Sequence, residues 1–358
     1  MGGMMMRPEL RLHTARLRAN IDAVRARIAP SELMFVMKDD AYGHGLTWAT
    51  ETAEQAGLGW YGSYDVRGGL EIRRVLETPA RVFAWATSSD DEVDAALLHD
   101  IDLGVGTLEY LDRVIARAER LGQCARVHLK IDTGLHRNGV LGEDWADALT
   151  RVRAAENAGL VDFAGIWSHL AEASDDEDDD AQKAFLDAVD AASATGPQPG
   201  ALHLTASAAS WWRPELRGSL SRIGAFCYGI RSADGPELEG VTPAADLVAF
   251  VTEVEDDRVT LGIGAFDGLP STLVGVDVGT PAGLRPLTGI GATSAEVRGW
   301  PGVAVGDEVR VFGAGDRGES NATTLAERIG TVGEEILTRL TSRVRRVIVD
   351  PSGGENPR

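Results

Sequence analysis

The chain has 358 residues, long enough for two domains, with 35 Lys and Arg against 55 Asp and Glu and a formal net charge of −20. That charge argues against nucleic acid and anionic membrane surfaces as partners, since both are bound by concentrated positive charge. No apolar run approaches the roughly 18 residues needed to span a bilayer, and the start MGGMMMRPE lacks the apolar segment of a secretory signal, so a cytoplasmic location is expected.

From about residue 33 the chain alternates short β-branched runs with amphipathic segments, the pattern of repeated βα units on a parallel sheet. Strands are expected at 33–38 (LMFVMK), 60–64 (WYGSY), 81–85 (RVFAW) and 101–106 (IDLGVG). Four more are expected at 125–132 (ARVHLKID), 162–170 (DFAGIWSHL), 201–205 (ALHLT) and 219–226 (SLSRIGAF). Helix-like stretches such as LEYLDRVIARAERLG and DWADALTRVRAAENAG lie between them. Eight units point to a closed barrel rather than an open sheet. The acidic run SDDEDDD at 174–180 reads as a loop just ahead of the helix AQKAFLDAVDAA, its charge better suited to a solvated helix N-terminus than to a metal. After about residue 236, short apolar runs separated by Gly, Pro and Asp replace the helical periodicity. The expected fold is α/β: a (β/α)8 barrel over 1–236, its first residues pairing with a second, C-terminal β-rich domain over 237–358.

Cys124 and Cys227 match neither a disulfide framework nor a metal-ligand spacing, so no metal is expected. The active site of such a barrel lies at the C-terminal ends of its strands. Lys38 closes the first, and it is one of only three lysines, with Lys130 and Lys183. A lysine leaving an apolar strand into a cleft is placed for Schiff-base chemistry, or equally to snorkel into solvent. Later strand ends add Lys130, Asp132 and Arg137, then Ser168 and His169, then His203 and Ser207, and finally Arg222, Gly224 and Ala225. A lone histidine here is more often a satisfied core residue than a catalytic one. Polar groups converging on one barrel mouth nevertheless mark a candidate site, and Ser207 with the amides of Gly224 and Ala225 lies where late-barrel loops grip a phosphate.

The segments KDDAYGHG, KIDTGLHRNG, WSHLAEASD, HLTASAAS and SRIGAFCYGI, in this order and spacing, resemble the alanine racemase family of fold-type III pyridoxal-phosphate enzymes. The likeness runs over nearly the whole chain, to EILTRLTSRVRRV. It implies pyridoxal 5′-phosphate as cofactor, held as a Schiff base on Lys38, and an amino acid or amine as substrate. Tyr42 is then expected at the phosphate with Ser207, Gly224 and Ala225, and Tyr228 belongs to the same cofactor-binding set. His169 is expected against the pyridine ring and Arg222 opposite its nitrogen, which keeps that nitrogen unprotonated and weakens the electron sink. Arg137 is expected at the substrate carboxylate, oriented by Lys130, a position that family members sometimes carbamylate. The family's sites are completed across a head-to-tail homodimer.

One half of the pattern breaks. Family racemases pair the cofactor lysine with a tyrosine from the partner's β domain, in a GYADGY motif; the matching stretch here is IGAFDGLP, which puts Ala265 where the tyrosine belongs. Realignment does not restore it, because the 130 residues after Tyr228 contain no Tyr, His, Lys or Cys. The pair that binds substrate carboxylate in the family reads ATSAEV near Ala292 to Ser294. The leading reading is therefore an enzyme acting at the α-carbon that transfers a proton on one face through Lys38, coupled to aldol cleavage, elimination, transamination or decarboxylation. The alternative is an amino-acid racemase with a substitute base, Asp267 or a bound water. The third is a non-catalytic pyridoxal-phosphate-binding protein.

Overall fold

The computed structural model describes residues 6–350 and, as backbone, 355–357. The chain divides into two compact units, one comprising residues 24–38 and 49–224, the other residues up to 23, 39–48 and from 225 onward.

Strand β1 (Glu9–His13) belongs to the second unit. The first unit holds eight parallel strands: β2 (Glu32–Val36), β3 (Trp60–Ser63), β4 (Arg81–Ala84), β5 (Ile101–Val105), β6 (Ala125–Lys130), β7 (Val161–Trp167), β8 (Ala201–His203) and β9 (Leu220–Ile223). They pair in chain order from β2 to β8, β2 also pairs with β9, and Leu202 N–H donates to Ser219 Oγ (2.9 Å) where β8 meets β9. The sheet is the expected (β/α)8 barrel, and each strand overlaps its predicted span.

Side chains alternate across each strand. Along β6, Arg126, His128 and Lys130 share the face that meets Asp102, Phe83 and Trp167. Met34, Phe83, Trp167, Ala201 and Leu220 fill the interior, with Trp60 and Trp85 packed against them. Full burial of a ring such as Phe83 contributes roughly 1.5–3 kcal/mol. The helices obey local signals. Helix Leu108–Leu121 starts where Thr107 Oγ1 accepts from Tyr110 N–H (3.1 Å), stops at Gly122 (φ 61°), and buries Leu111, Val114 and Ala118.

The acidic run departs from expectation. It is not a loop: helix Asp175–Thr195 begins inside it, with Ser174 as N-cap accepting from Glu177 N–H (3.2 Å). Asp175, Asp176, Glu177 and Asp178 occupy the first turn, where the positive end of the helix dipole favours carboxylates. Poor intrinsic helix propensity is thus offset by position.

The second unit adds β10 (Ala245–Glu255), β11 (Arg258–Leu261), β12 (Asp277–Thr280), β13 (Gly283–Ile290), β14 (Ala295–Arg298), β15 (Glu308–Phe312), β16 (Arg345–Val349) and β17 (Glu355–Pro357). Strands β10, β11, β14, β13, β12 and β15 close on themselves as an antiparallel barrel. Strand β1 pairs antiparallel with β10 and parallel with β16. Leu10 and Leu12 are buried, while Arg11 between them donates from Nη1 to Glu308 (3.0 Å). Among the described residues no helix is long and apolar enough to cross a membrane, and no cluster of acidic, histidine or cysteine side chains has a metal-ligand arrangement.

Candidate active site

Lys38 lies two residues beyond β2, partly buried. His169 lies two residues beyond β7. Burial pushes His169 down to about 3, and the charges of Arg222, Arg137, Lys130 and Lys38 push the same way. Burial first, and these four charges with it, keep the imidazole neutral.

Lys130 ends β6 at 3% exposure, its Nζ 4.7 Å from the centre of the Trp167 ring. Burial lowers it to about 8, with Arg222 and Arg137 adding to the effect and Asp132 opposing it. Arg137 is exposed on the loop that follows β6. Asp132 shapes that loop by accepting from Gly134 N–H (3.0 Å) and His136 N–H (3.1 Å). Thr133 Oγ1 and Ser168 Oγ lie 2.8 Å apart, tying it to the end of β7.

Arg222, on β9, is held by five acceptors. Nη1 donates to His203 O (2.7 Å) and His203 Nδ1 (3.0 Å); Nη2 donates to Ser168 O (2.7 Å), Leu204 O (3.1 Å) and His169 Nδ1 (3.2 Å). Burial pushes the guanidinium down to about 9, so it remains charged at neutral pH. Ser207 opens helix Ser207–Trp212, and its Oγ accepts from Gly224 N–H at 3.4 Å, placing a hydroxyl and an amide side by side.

The donor set fits pyridoxal phosphate. An excess of cations suits a ligand bearing phosphate and, with substrate, carboxylate, while a neutral imidazole pinned to an arginine offers a flat face to a ring. A cavity of about 630 Å³ opens elsewhere, at the N-terminal ends of the strands, where Trp60, Arg81, Phe163 and Pro199 line it. The titratable groups converge at the other end, and the chemistry is assigned there.

The second unit carries the remaining expected residues. Lys38 is followed by a left-handed turn, Asp39 to Tyr42, with φ between 53° and 55° at four non-glycine positions. Each costs roughly 1–2 kcal/mol. Arg346 opposes that cost by donating from Nη2 to Gly43 O (3.1 Å) and Leu340 O (3.1 Å). Tyr42 and Tyr228 are buried with ring centres 5.3 Å apart, and burial raises both phenols well above their ordinary range. Ala225 opens the short helix Ala225–Tyr228.

Ala265 and Phe266 are exposed. Their amides donate to Gly291 O (2.9 Å) and Ala292 O (2.8 Å), so the two segments that depart from the family pattern lie against each other. A Cβ on Gly264 would stand 2.6 Å from Ser294 N, which explains the glycine. Asp267 is 2% exposed, and both its oxygens are engaged: Oδ2 accepts from Gly264 N–H (2.8 Å) and Oδ1 from Arg343 Nε (2.8 Å).

Two buried residues escape the sequence reading: Asp102 and His128, joined to His203 and through it to Arg222. The signal available was alternation, since each stands on an interior position of its strand where an apolar residue is the norm.

Comparison with known proteins identifies the family. Residues 12–232 match the family model "Alanine racemase, N-terminal domain" and residues 249–348 match "Alanine racemase, C-terminal domain". The alanine racemase of Thermobifida fusca is 31% identical over 95% of this chain and 97% of its own length; that of Frankia casuarinae is 32% identical over 92% and 93%. The crystal structure of alanine racemase from D-cycloserine-producing Streptomyces lavendulae superposes with a TM-score of 0.88 at 30% identity, covering 98% of both chains. That of Streptomyces coelicolor A3(2) gives 0.90 at 29% identity, covering 96% of this chain and 98% of the other. With both domains matched and relatives of 31–32% identity spanning both chains, this chain belongs to the alanine racemase family.

Proposed function

We propose that this chain, a pyridoxal 5′-phosphate-dependent enzyme, interconverts the enantiomers of an amino acid, using Lys38 as one proton-transfer base and a water as the other. The observation that carries the proposal is the barrel mouth, where Lys38 and His169 each lie two residues beyond a strand, Lys130 ends β6 buried, and Arg222 Nη2 donates to His169 Nδ1 (3.2 Å). Relatives at 31–32% identity are named alanine racemases, which favours racemisation over the cleavage, elimination, transamination and decarboxylation chemistries that the sequence reading put first.

When bound, the cofactor supplies an electron sink that makes the α-proton of an attached amino acid removable. Lys38 anchors it and moves that proton at Nζ. Arg222, charged and fixed by five bonds, would stand opposite the cofactor's ring nitrogen, where its charge would keep that nitrogen unprotonated and so moderate the sink. Ser207, Gly224, Ala225 and Tyr42 take the phosphate, with Tyr228 packed behind Tyr42. Arg137 takes the substrate carboxylate, with Lys130 beside it. In a head-to-tail homodimer the exposed Ala265 and Phe266 of one subunit meet the barrel mouth of the other. The space at Ala265 is then filled by water, while Asp267, occupied by Gly264 and Arg343, sets the loop's shape.

A second reading rests on Ala265 itself: with no Tyr, His, Lys or Cys after Tyr228, exchange on one face alone is the outcome if water does not serve. Incubating L- and D-amino acids in deuterated water and following the α-proton decides between them. Washout and inversion from both enantiomers support racemisation; washout from one enantiomer only overturns it. Sedimentation checks the assembly, and a monomer at micromolar concentration would contradict it.

A further inference from the structure

A continuous line of buried hydrogen bonds crosses the barrel interior. Asp102 on β5 lies 3.1 Å from His128 Nε2, His128 Nδ1 lies 2.8 Å from His203 Nε2, and His203 Nδ1 lies 3.0 Å from Arg222 Nη1. Asp102, His128 and His203 have no exposed surface. Protons can be placed on this line in one consistent way. Arg222 only donates, so His203 Nδ1 must accept; its proton then sits on Nε2 and faces His128 Nδ1. That nitrogen accepts in turn, leaving His128 Nε2 to donate to Asp102. Every bond points the same way, from Arg222 toward Asp102.

We propose that Asp102 and His128 are positioning residues for Arg222: they lock His203 as its Nε2–H tautomer, so that a lone pair always faces the guanidinium. This rests on the reading of Arg222 as the group opposite the cofactor's ring nitrogen. Neither residue touches the site. They act through His203, the one side-chain acceptor that Nη1 has, as His169 Nδ1 is for Nη2.

The surroundings admit no slack. Phe83 packs against both imidazoles, at 4.8 Å from His128 and 5.2 Å from His203, and Trp167 stacks on His203 within 7° of parallel. Trp60 meets His128 edge-on. Gly165 on β7 leaves room for the line, since a Cβ there would collide with His128 Nδ1. At the far end Asp102 also accepts from Arg81 Nε (3.1 Å) and Arg126 Nε (2.6 Å). Burial raises its carboxyl, but bonds from His128 and Arg81 outweigh that and hold it down to about 2, so the acceptor end stays anionic. Burial and the charge of Arg222 keep His203 neutral.

Asp102→Leu makes this lock testable. Arg126 Nε donates to Oδ1 of Asp102 (2.6 Å), while Arg81 Nη2 (2.5 Å) and His128 Nε2 (3.1 Å) meet at Oδ2. Leucine removes that acceptor, so nothing on β5 holds the His128 proton on Nε2 and His203 loses the tautomer that His128 imposes on it.

The test uses holoenzyme labelled at its histidine ring nitrogens, of which seven residues contribute signals. In the wild type, His128 and His203 are expected neutral with the proton on Nε2; a proton on Nδ1 of His203, or a charged ring, overturns the proposal. In Asp102→Leu both rings are expected to lose the preference for a proton on Nε2, the absorbance of the lysine-bound cofactor to shift, and kcat to fall about 10- to 100-fold, the scale for outer-shell partners, with KM little changed. Rings that keep the preference, or a lost preference with unchanged absorbance and kcat, would overturn it. Should Asp102→Leu not fold, His128→Leu removes the acceptor for His203 while leaving Asp102 its arginines. Loss of the tautomer preference with the same fall in kcat supports the proposal, and an unchanged His203 ring overturns it. Lack of turnover in the wild type would count against racemisation, whereas the ring nitrogens report on the line by themselves.

Discussion

Replacing Lys130 by Met tests the electrostatics of the barrel mouth through stability alone. In the folded protein Lys130 loses its proton at about 8, against 10.5 for an unperturbed lysine, because burial and the neighbouring Arg222 and Arg137 disfavour its charge. The unfolded chain therefore holds one more proton than the folded chain between those values, and stability rises with pH across that window. Below about pH 8 the full penalty is present, and a shift of this size corresponds to roughly 3 kcal/mol. The charge also gains about 1 kcal/mol from the Trp167 ring 4.7 Å away, which Met forfeits. Lys130→Met is thus expected to be more stable than the wild type by about 2 kcal/mol at pH ~7, with the advantage vanishing by pH ~10. Urea unfolding of apoprotein in bicarbonate-free buffer measures both. A variant less stable at neutral pH, or a difference that does not change with pH, would refute the reasoning.

The same neutral amine is the form that reacts with carbon dioxide. In ¹³C-labelled bicarbonate above pH ~8 a carbamate signal is expected in the wild type and absent in Lys130→Met; its absence from both would show that Lys130 stays an amine. His169, held down to about 3 by burial and four cations, binds no proton when folded until far below the 6.5 of a free histidine, so its contribution to stability falls as pH drops through that window. His169→Gln should flatten the acid limb of an unfolding-versus-pH curve, and an unchanged limb would contradict the assignment. Asp267→Asn loses a charged partner of Arg343 and is expected to cost about 1–3 kcal/mol in thermal or urea unfolding, with proton exchange at the substrate retained. Loss of exchange in a folded Asp267→Asn protein would make Asp267 a base after all. Ala265→Tyr, at an exposed loop position, should leave stability within about 0.5 kcal/mol and raise the racemisation rate. A rate that stays level or falls would show that the tyrosine position alone does not set the second proton transfer.

The barrel was legible because each strand carries its own apolar run, bounded by turn residues, and register is then forced by a buried interior. Lys38, Arg137 and His169 were legible because strand ends in a barrel have few structural uses for charge. The helix N-terminus expected beside the acidic segment starts inside it, at Ser174, earlier than the apolar periodicity shows, because the cap and the helix dipole act on the whole first turn. Asp102 and His128 were hidden for a different reason. Each looks like an ordinary member of a strand, and its partner stands on another strand, 26 or 75 residues away in sequence, facing the same barrel interior. The left-handed turn after Lys38 was equally invisible, since Asp39, Asp40, Ala41 and Tyr42 carry no glycine to announce it; Gly43 and Gly45 N–H close it on Asp39 O (2.9 Å) and Asp40 O (3.0 Å), and the remote Arg346 braces Gly43 O behind it.

Attachment of the cofactor to Lys38 is open to one direct measurement. Holoenzyme should absorb near about 420 nm, lose that band on borohydride treatment, and yield the reduced cofactor on the single peptide containing Lys38, with Lys38→Ala colourless under saturating cofactor. A colourless wild type, or label recovered on Lys130 or Lys183 instead, would contradict the account.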